Sequence, residues 1–110
     1  MMGFRVSIYH ANNGKCYFRD WVKTLDNVVR ARIQRKLDQV EEGNLGDTKP
    51  VGGGVHELRL HFGPGYRMYF GMDSKEIILL LTGSDKSGQE QAVKLAKALW
   101  KEHDLNKHAN

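Results

Sequence analysis

With 110 residues, 40% of them hydrophobic and 27% charged, the chain has the length of one domain and the apolar content for one core, which excludes disordered and fibrous classes. Its 17 Lys+Arg against 13 Asp+Glu give a formal net charge of +4 and a pI near 9.3, a tilt toward an anionic partner such as nucleic acid. A single cysteine, Cys16, excludes an internal disulfide and a cysteine metal cluster, and the longest aliphatic run, Ile77-Ile78-Leu79-Leu80-Leu81, is far short of the ~20 residues of a membrane span.

Met1-Met2-Gly3-Phe4-Arg5 carries no apolar stretch of signal-peptide length, so the chain reads as cytoplasmic, with no membrane partner. Phe4, Val6 and Ile8 alternate with Arg5 and Ser7, the period of a half-buried strand, closed by the turn residues Ala11-Asn12-Asn13-Gly14. Phe18, Trp21, Val22 and Leu25 then share one face of a short helix, interrupted by Asp26-Asn27. Val29, Ile33, Leu37 and Val40 line a second, amphipathic helix that stops at Gly43-Asn44, so the two read as a helical hairpin with a solvated, charged side. The glycine-rich stretch from Asn44 to Gly54, which includes Lys49-Pro50, reads as a loop. Three strands follow: His56 to Phe62, Tyr66 to Met72, and Glu76 to Thr82. The short links Gly63-Pro64-Gly65 and Asp73-Ser74-Lys75 make them antiparallel hairpins, and the consecutive apolar residues of the last place it inside the sheet. Ser87-Gly88-Gln89-Glu90 fits a capping box opening a helix with Val93, Leu95, Ala96, Leu99 and Trp100 on its apolar side, and the polar tail from His103 to Asn110 reads as frayed. The predicted order over residues 1–110 is β-α-α-β-β-β-α, a single α+β domain with helices packed on one face of a mainly antiparallel sheet.

Strand alternation sends Leu58, Leu60 and Phe62 to the core and Glu57, Arg59 and His61 to the opposite face, with Arg67 and Tyr69 of the next strand on that same face. If the Gly63-Pro64-Gly65 turn pairs Phe62 with Tyr66, His61 lies opposite Arg67 and Arg59 opposite Tyr69. The face then gathers a carboxylate, two guanidiniums, an imidazole and a phenol, flanked by Lys49 and Lys86. Such a set suits RNA phosphodiester chemistry. Guanidiniums clamp phosphate oxygens and offset charge in the transition state. A carboxylate or imidazole accepts the 2′-hydroxyl proton, a second group protonates the leaving 5′-oxygen, and a tyrosine stacks an unpaired base. No metal or other cofactor is required. The competing reading is an ordinary solvated face of cross-strand ion pairs.

The remaining signals favour structure. Gly52-Gly53-Gly54 lacks the Gly-Lys-Ser/Thr of a phosphate loop. His56 and His61 face opposite ways on one strand, so they form no metal pair, and His56 reads as a packing residue. Cys16 has no histidine in helical or turn register. Trp21 and Trp100 fall on apolar helix faces and read as core.

Read in order, Phe18-x-x-Trp21-Val22-x-x-Leu25, Arg32-Ile33, Gly43-Asn44-x-Gly46-Asp47-x-Lys49, Val51-Gly52-Gly53-Gly54-Val55-x-Glu57-Leu58-Arg59, Gly63-Pro64-Gly65-Tyr66-Arg67-x-Tyr69-Phe70 and Gly83-x-Asp85-Lys86-Ser87-x-Gln89 resemble the phage-related addiction-module killer proteins, a HigB-like branch of the RelE toxin superfamily. The likeness runs from about Phe4 to Trp100. It implies the microbial RNase-type fold and a type II toxin that cleaves mRNA on the ribosome without a metal. It further implies a small helix-turn-helix antitoxin, with operator DNA reached only through that antitoxin. By position, Arg67 matches the superfamily arginine thought to stabilise the phosphate, Arg59 a common basic position, and Lys86 the basic residue some members place after the last strand. The nucleolytic members carry a lysine pair where this chain has Val55 and Glu57. Glu57 as base, with His61 or Lys86 as acid, comes from the strand geometry instead. Lys49, Tyr66, Tyr69 and Gln89 complete the expected substrate contacts. The same superfamily includes ParE-like gyrase poisons, and a non-catalytic RNA-binding module is the third alternative.

Overall fold

The computed structural model describes residues 3–109; Met1, Met2 and Asn110 lie outside them. The elements are β1 (Arg5–Ile8), α1 (Tyr17–Lys23), α2 (Asn27–Glu41), β2 (Thr48–Gly52), β3 (Val55–Arg59), β4 (Arg67–Met72), β5 (Ile77–Ser84) and α3 (Gln89–Lys107). The strands form one sheet in the order β1-β5-β4-β3-β2, antiparallel except for β1 against β5. The α+β class and the mainly antiparallel sheet are those expected of a RelE-like fold. No helix among the described residues is long and apolar enough to cross a membrane.

Alternation along the strands sorts side chains between two cores. Leu58, Met68, Phe70, Ile78 and Leu80 face α1 and α2, whose Phe18, Ile33 and Val40 close over them. Val55, Tyr69, Leu79 and Leu81 face the other way, against Ala92, Ala96 and Leu99 of α3. β5, flanked by β1 and β4, is buried along both faces, as its apolar run predicts. Two glycines set how closely the helices approach. Trp21 of α1 lies on Gly83 and Trp100 of α3 on Gly71, and a Cβ at either glycine would fall inside the indole. Asp26 divides the helical hairpin by capping α2, its Oδ1 accepting the Val29 N–H at 2.9 Å.

Four details differ from the sequence reading. Helices cover both faces of the sheet, not one, because Val55, Leu79 and Leu81 make the second face apolar enough to need α3. The stretch from Asn44 to Gly54 is not all loop: Thr48–Gly52 is a fifth strand, paired with β3. Pro50 disguises it, yet on an edge strand a missing N–H need break no ladder. The expected Ser87 cap is absent. Gly88 is the N-cap of α3, and Asp85 Oδ1 holds the turn, accepting from Gly88 N–H at 3.1 Å and Ser87 Oγ at 2.7 Å. The tail is not frayed from His103. α3 continues to Lys107, with His103 Nε2 at 2.7 Å and Lys107 Nζ at 3.1 Å from Asp73 Oδ1. On its other side Tyr9 donates its hydroxyl to Glu102 Oε1 at 2.5 Å, and burial pushes that phenol well up.

Candidate functional site

The β3–β4 hairpin positions most of the expected site, in a register two residues away from the predicted one. Arg59 pairs with Arg67 and Glu57 with Tyr69, and Leu60 N–H donates to Tyr66 O at 2.9 Å. Because side chains repeat every two residues, such a slip leaves each on its predicted face. It also lengthens the loop that carries His61 and Phe62. The expected single polar face is nevertheless divided in two, because α3 begins at Gln89 and covers only part of it.

Under α3, Glu57 and Tyr69 are 0% exposed and Arg67 8%. Arg67 donates its Nε–H to Glu57 Oε1 at 3.1 Å and its Nη1–H to Gly65 O at 2.7 Å, so one guanidinium ties the strand to the turn. Gln89 Nε2 donates to the same Glu57 oxygen at 3.1 Å, anchoring the start of α3, while Glu57 Oε2 is buried with no partner among the described residues. Tyr69 OH lies 3.4 Å from Ser84 Oγ, and burial, reinforced by the nearby Glu57 carboxylate, raises its phenol. The expected surface roles of Glu57 as base and Tyr69 as stacking platform fail on burial: neither side chain meets solvent. Lys49 stands on β2 across from Glu57 but is exposed, as is Lys86, whose backbone N–H donates to Pro64 O at 3.2 Å. Tyr66 is half-buried on the other side of the sheet, 5.5 Å from Phe62 and 6.4 Å from Trp21, centroid to centroid.

Beyond the reach of α3, Arg59 and His61 turn to Asp47. His61 Nε2 is 2.7 Å and Arg59 Nε 3.3 Å from Asp47 Oδ2. The His61 side chain is 72% exposed, and its other ring nitrogen makes no hydrogen bond among the described residues. The hydrogen bond from His61, with the Arg59 charge beside it, holds the Asp47 carboxyl below the usual carboxylate range. These residues line an open groove of about 490 Å³, together with Arg32, Arg35 and Lys36 of α2. The Arg32 guanidinium lies over the Phe62 ring at 4.6 Å, a cation–π contact that fixes it on the groove wall. Five cationic or titratable basic side chains thus face one carboxylate. Anions are the natural guests of such a concavity.

Sequence reasoning brought Arg59 and His61 to this neighbourhood but missed Asp47 and the three α2 cations as their companions. The signal was β2 itself. Thr48 pairs with Leu58, so the preceding Asp47 falls beside Arg59, whose N–H donates to Asp47 O at 2.9 Å. His56, read as a packing residue, stacks on Phe70 at 5.4 Å, and Trp21 and Trp100 sit on glycines in the core layers.

An uncharacterized protein of Haemophilus influenzae is 38% identical over 89 residues, which is 80% of this chain and 90% of that protein. Residues 20–102, a span that includes both the buried Glu57–Arg67 pair and the cationic groove, match the family described as phage derived protein Gp49-like (DUF891). The chain therefore belongs to the Gp49-like family of phage-derived proteins, a toxin family of toxin–antitoxin systems.

Proposed function

We propose that this chain is a type II toxin of the HigB-like kind that cleaves mRNA, with the ribosome presenting the substrate and a helix-turn-helix antitoxin restraining it. One observation carries the cleavage reading: Asp47 Oδ2 at 2.7 Å from His61 Nε2 inside a groove lined by Arg32, Arg35, Lys36 and Arg59. A carboxylate on one imidazole nitrogen fixes the tautomer, leaving Nδ1 of a neutral His61 as the acceptor. His61 Nδ1 takes the 2′-hydroxyl proton, O2′ attacks phosphorus, and the P–O5′ bond breaks to leave a 2′,3′-cyclic phosphate. The departing O5′ takes a proton from the Lys36 ammonium, and the arginines bear the charge that builds on the phosphoryl oxygens. Side chains alone carry these steps.

In this reading the Glu57–Arg67 pair positions the site. It braces the β3–β4 turn from beneath, so that His61 and Phe62 hold their places on the loop. Lys49 and Lys86 flank the turn as docking charges for the ribosome or RNA.

The test is induction of the chain in cells, with primer extension on abundant transcripts and assay of plasmid supercoiling. The expected result is new mRNA 5′ ends and arrested protein synthesis with supercoiling unchanged. Growth arrest with intact transcripts, with or without loss of supercoiling, overturns the nuclease reading.

A further inference from the structure

A second groove lies where the sheet is incomplete. β1 pairs with β5 only as far as Ile8 opposite Leu80, where Tyr9 N–H donates to Leu80 O at 2.9 Å. Past that point Thr82, Gly83 and Ser84 make no backbone hydrogen bond on the β1 side among the described residues. α1 and α3 flank this bare edge and leave a groove of about 530 Å³, with Trp21, Tyr66, Asp85 and Gln91 in its lining. That volume lies within the range of small-molecule sites, roughly 300–1,000 Å³.

The shape of the edge selects the guest. Three residues of unpaired strand span ~10 Å, short of the ~17–20 Å of a typical strand but enough for one planar base. The neighbourhood selects it further. Tyr66 packs against Phe62 with the two rings tilted by 50° and their centroids 5.5 Å apart, and Phe62 lies beneath the Arg32 guanidinium of the cationic groove, so two aromatic rings join the two concavities. Cations that follow a backbone, alternating with rings that hold bases, are the pattern of single-strand recognition. Asp85 gives the lining an anionic acceptor. Its Oδ1 is committed to Ser87 and Gly88, while Oδ2 takes no hydrogen bond among the described residues. The Ser87 hydroxyl and the Gly88 N–H also hold the carboxyl below its ordinary range. Guanine presents two donors, N1–H and the N2 amino group, to one such acceptor, whereas adenine turns its N1 acceptor toward it.

We infer that the groove between α1 and α3 seats an unpaired guanine of the RNA, its Watson–Crick edge on Asp85, while the adjoining phosphates occupy the cationic groove. This rests on the RNA reading above and adds base selection to it.

The experiment titrates ¹⁵N-labelled wild-type protein with guanosine 5′-monophosphate, adenosine 5′-monophosphate and inorganic phosphate, following the indole N–H signals of the two tryptophans. Guanosine monophosphate should shift the Trp21 indole and the Gly83 amide saturably while Trp100 stays fixed. Adenosine monophosphate should bind at least about tenfold more weakly, the loss expected for charge-assisted hydrogen bonds. Asp85→Asn keeps an Oδ1 acceptor for the Gly88 turn and should bring the guanine ligand down to the adenine level. Absence of shifts in this groove, equal binding of the two nucleotides, or the same shifts with phosphate alone would overturn the inference. These signals do not depend on cleavage, so their failure leaves the nuclease reading standing. Intact transcripts from a toxic protein would remove that reading while the nucleotide titration stays interpretable.

Discussion

Glu57 and Arg59 are two residues apart on one strand and begin on the same face of the sheet, yet they sit in opposite surroundings. Glu57 lies fully buried beneath α3 with Arg67 and Gln89 on one of its oxygens. Arg59 lies past the reach of that helix and turns toward Asp47 and an exposed His61. The difference comes from where a helix begins. Gln89, first residue of α3, anchors on Glu57, and the sheet beyond that contact remains open to α2 and solvent. Similar chemical groups thus brace the fold in one place and face an open, cationic groove in the other.

The largest way to break the contrast is Arg67→Ala. Removing one partner strands a buried carboxylate, a loss of about 3–5 kcal/mol. Urea unfolding should show it as a large drop in midpoint, and any loss of toxicity would then report unfolding. Glu57→Gln is milder, because an amide oxygen still accepts from Arg67 and Gln89 while the charge is lost. We expect about 1–3 kcal/mol by the same measurement. A smaller effect is expected from Asp47→Asn, and its dependence on pH has a definite sign. The Asp47 carboxyl is held below its ordinary value in the folded chain, so its contribution is fully present above the unfolded pKa of about 3.9 and disappears as pH falls through the lowered folded value. Unfolding midpoints of wild type and variant should therefore differ slightly at neutral pH and converge in acid. Exposure leaves His61→Ala the smallest effect on stability, with an unfolding midpoint matching that of wild type.

The framework of this contrast was legible in the sequence. Period-two and helical spacings predict seven of the elements, and alternation puts Glu57, Arg59, Arg67 and Tyr69 on one face. Less legible was the cover over that face. The residues that draw α3 onto it, Val55, Leu79 and Leu81, are spread over two strands, and which side of a sheet a following helix takes is a long-range choice. Asp47 was hidden for a local reason. Lys49-Pro50 and three consecutive glycines have the composition of a loop, so the edge strand that sets Asp47 beside Arg59 gives almost no periodic signal. The register of the β3–β4 hairpin is set by a Leu60–Tyr66 backbone bond, which no side-chain pattern reports.

On the proposed reading, RNA is cut in the open groove and the buried pair only supports it. The most direct measurement is primer extension on the same transcript in cells expressing wild type, His61→Ala or Glu57→Gln, at matched levels of soluble, folded protein. His61→Ala is expected to lower the yield of new 5′ ends by roughly 10²–10⁴-fold, the usual contribution of a positioned acid–base group, while folded Glu57→Gln still cuts. Undiminished cleavage by His61→Ala, with cleavage abolished in folded Glu57→Gln, would contradict it.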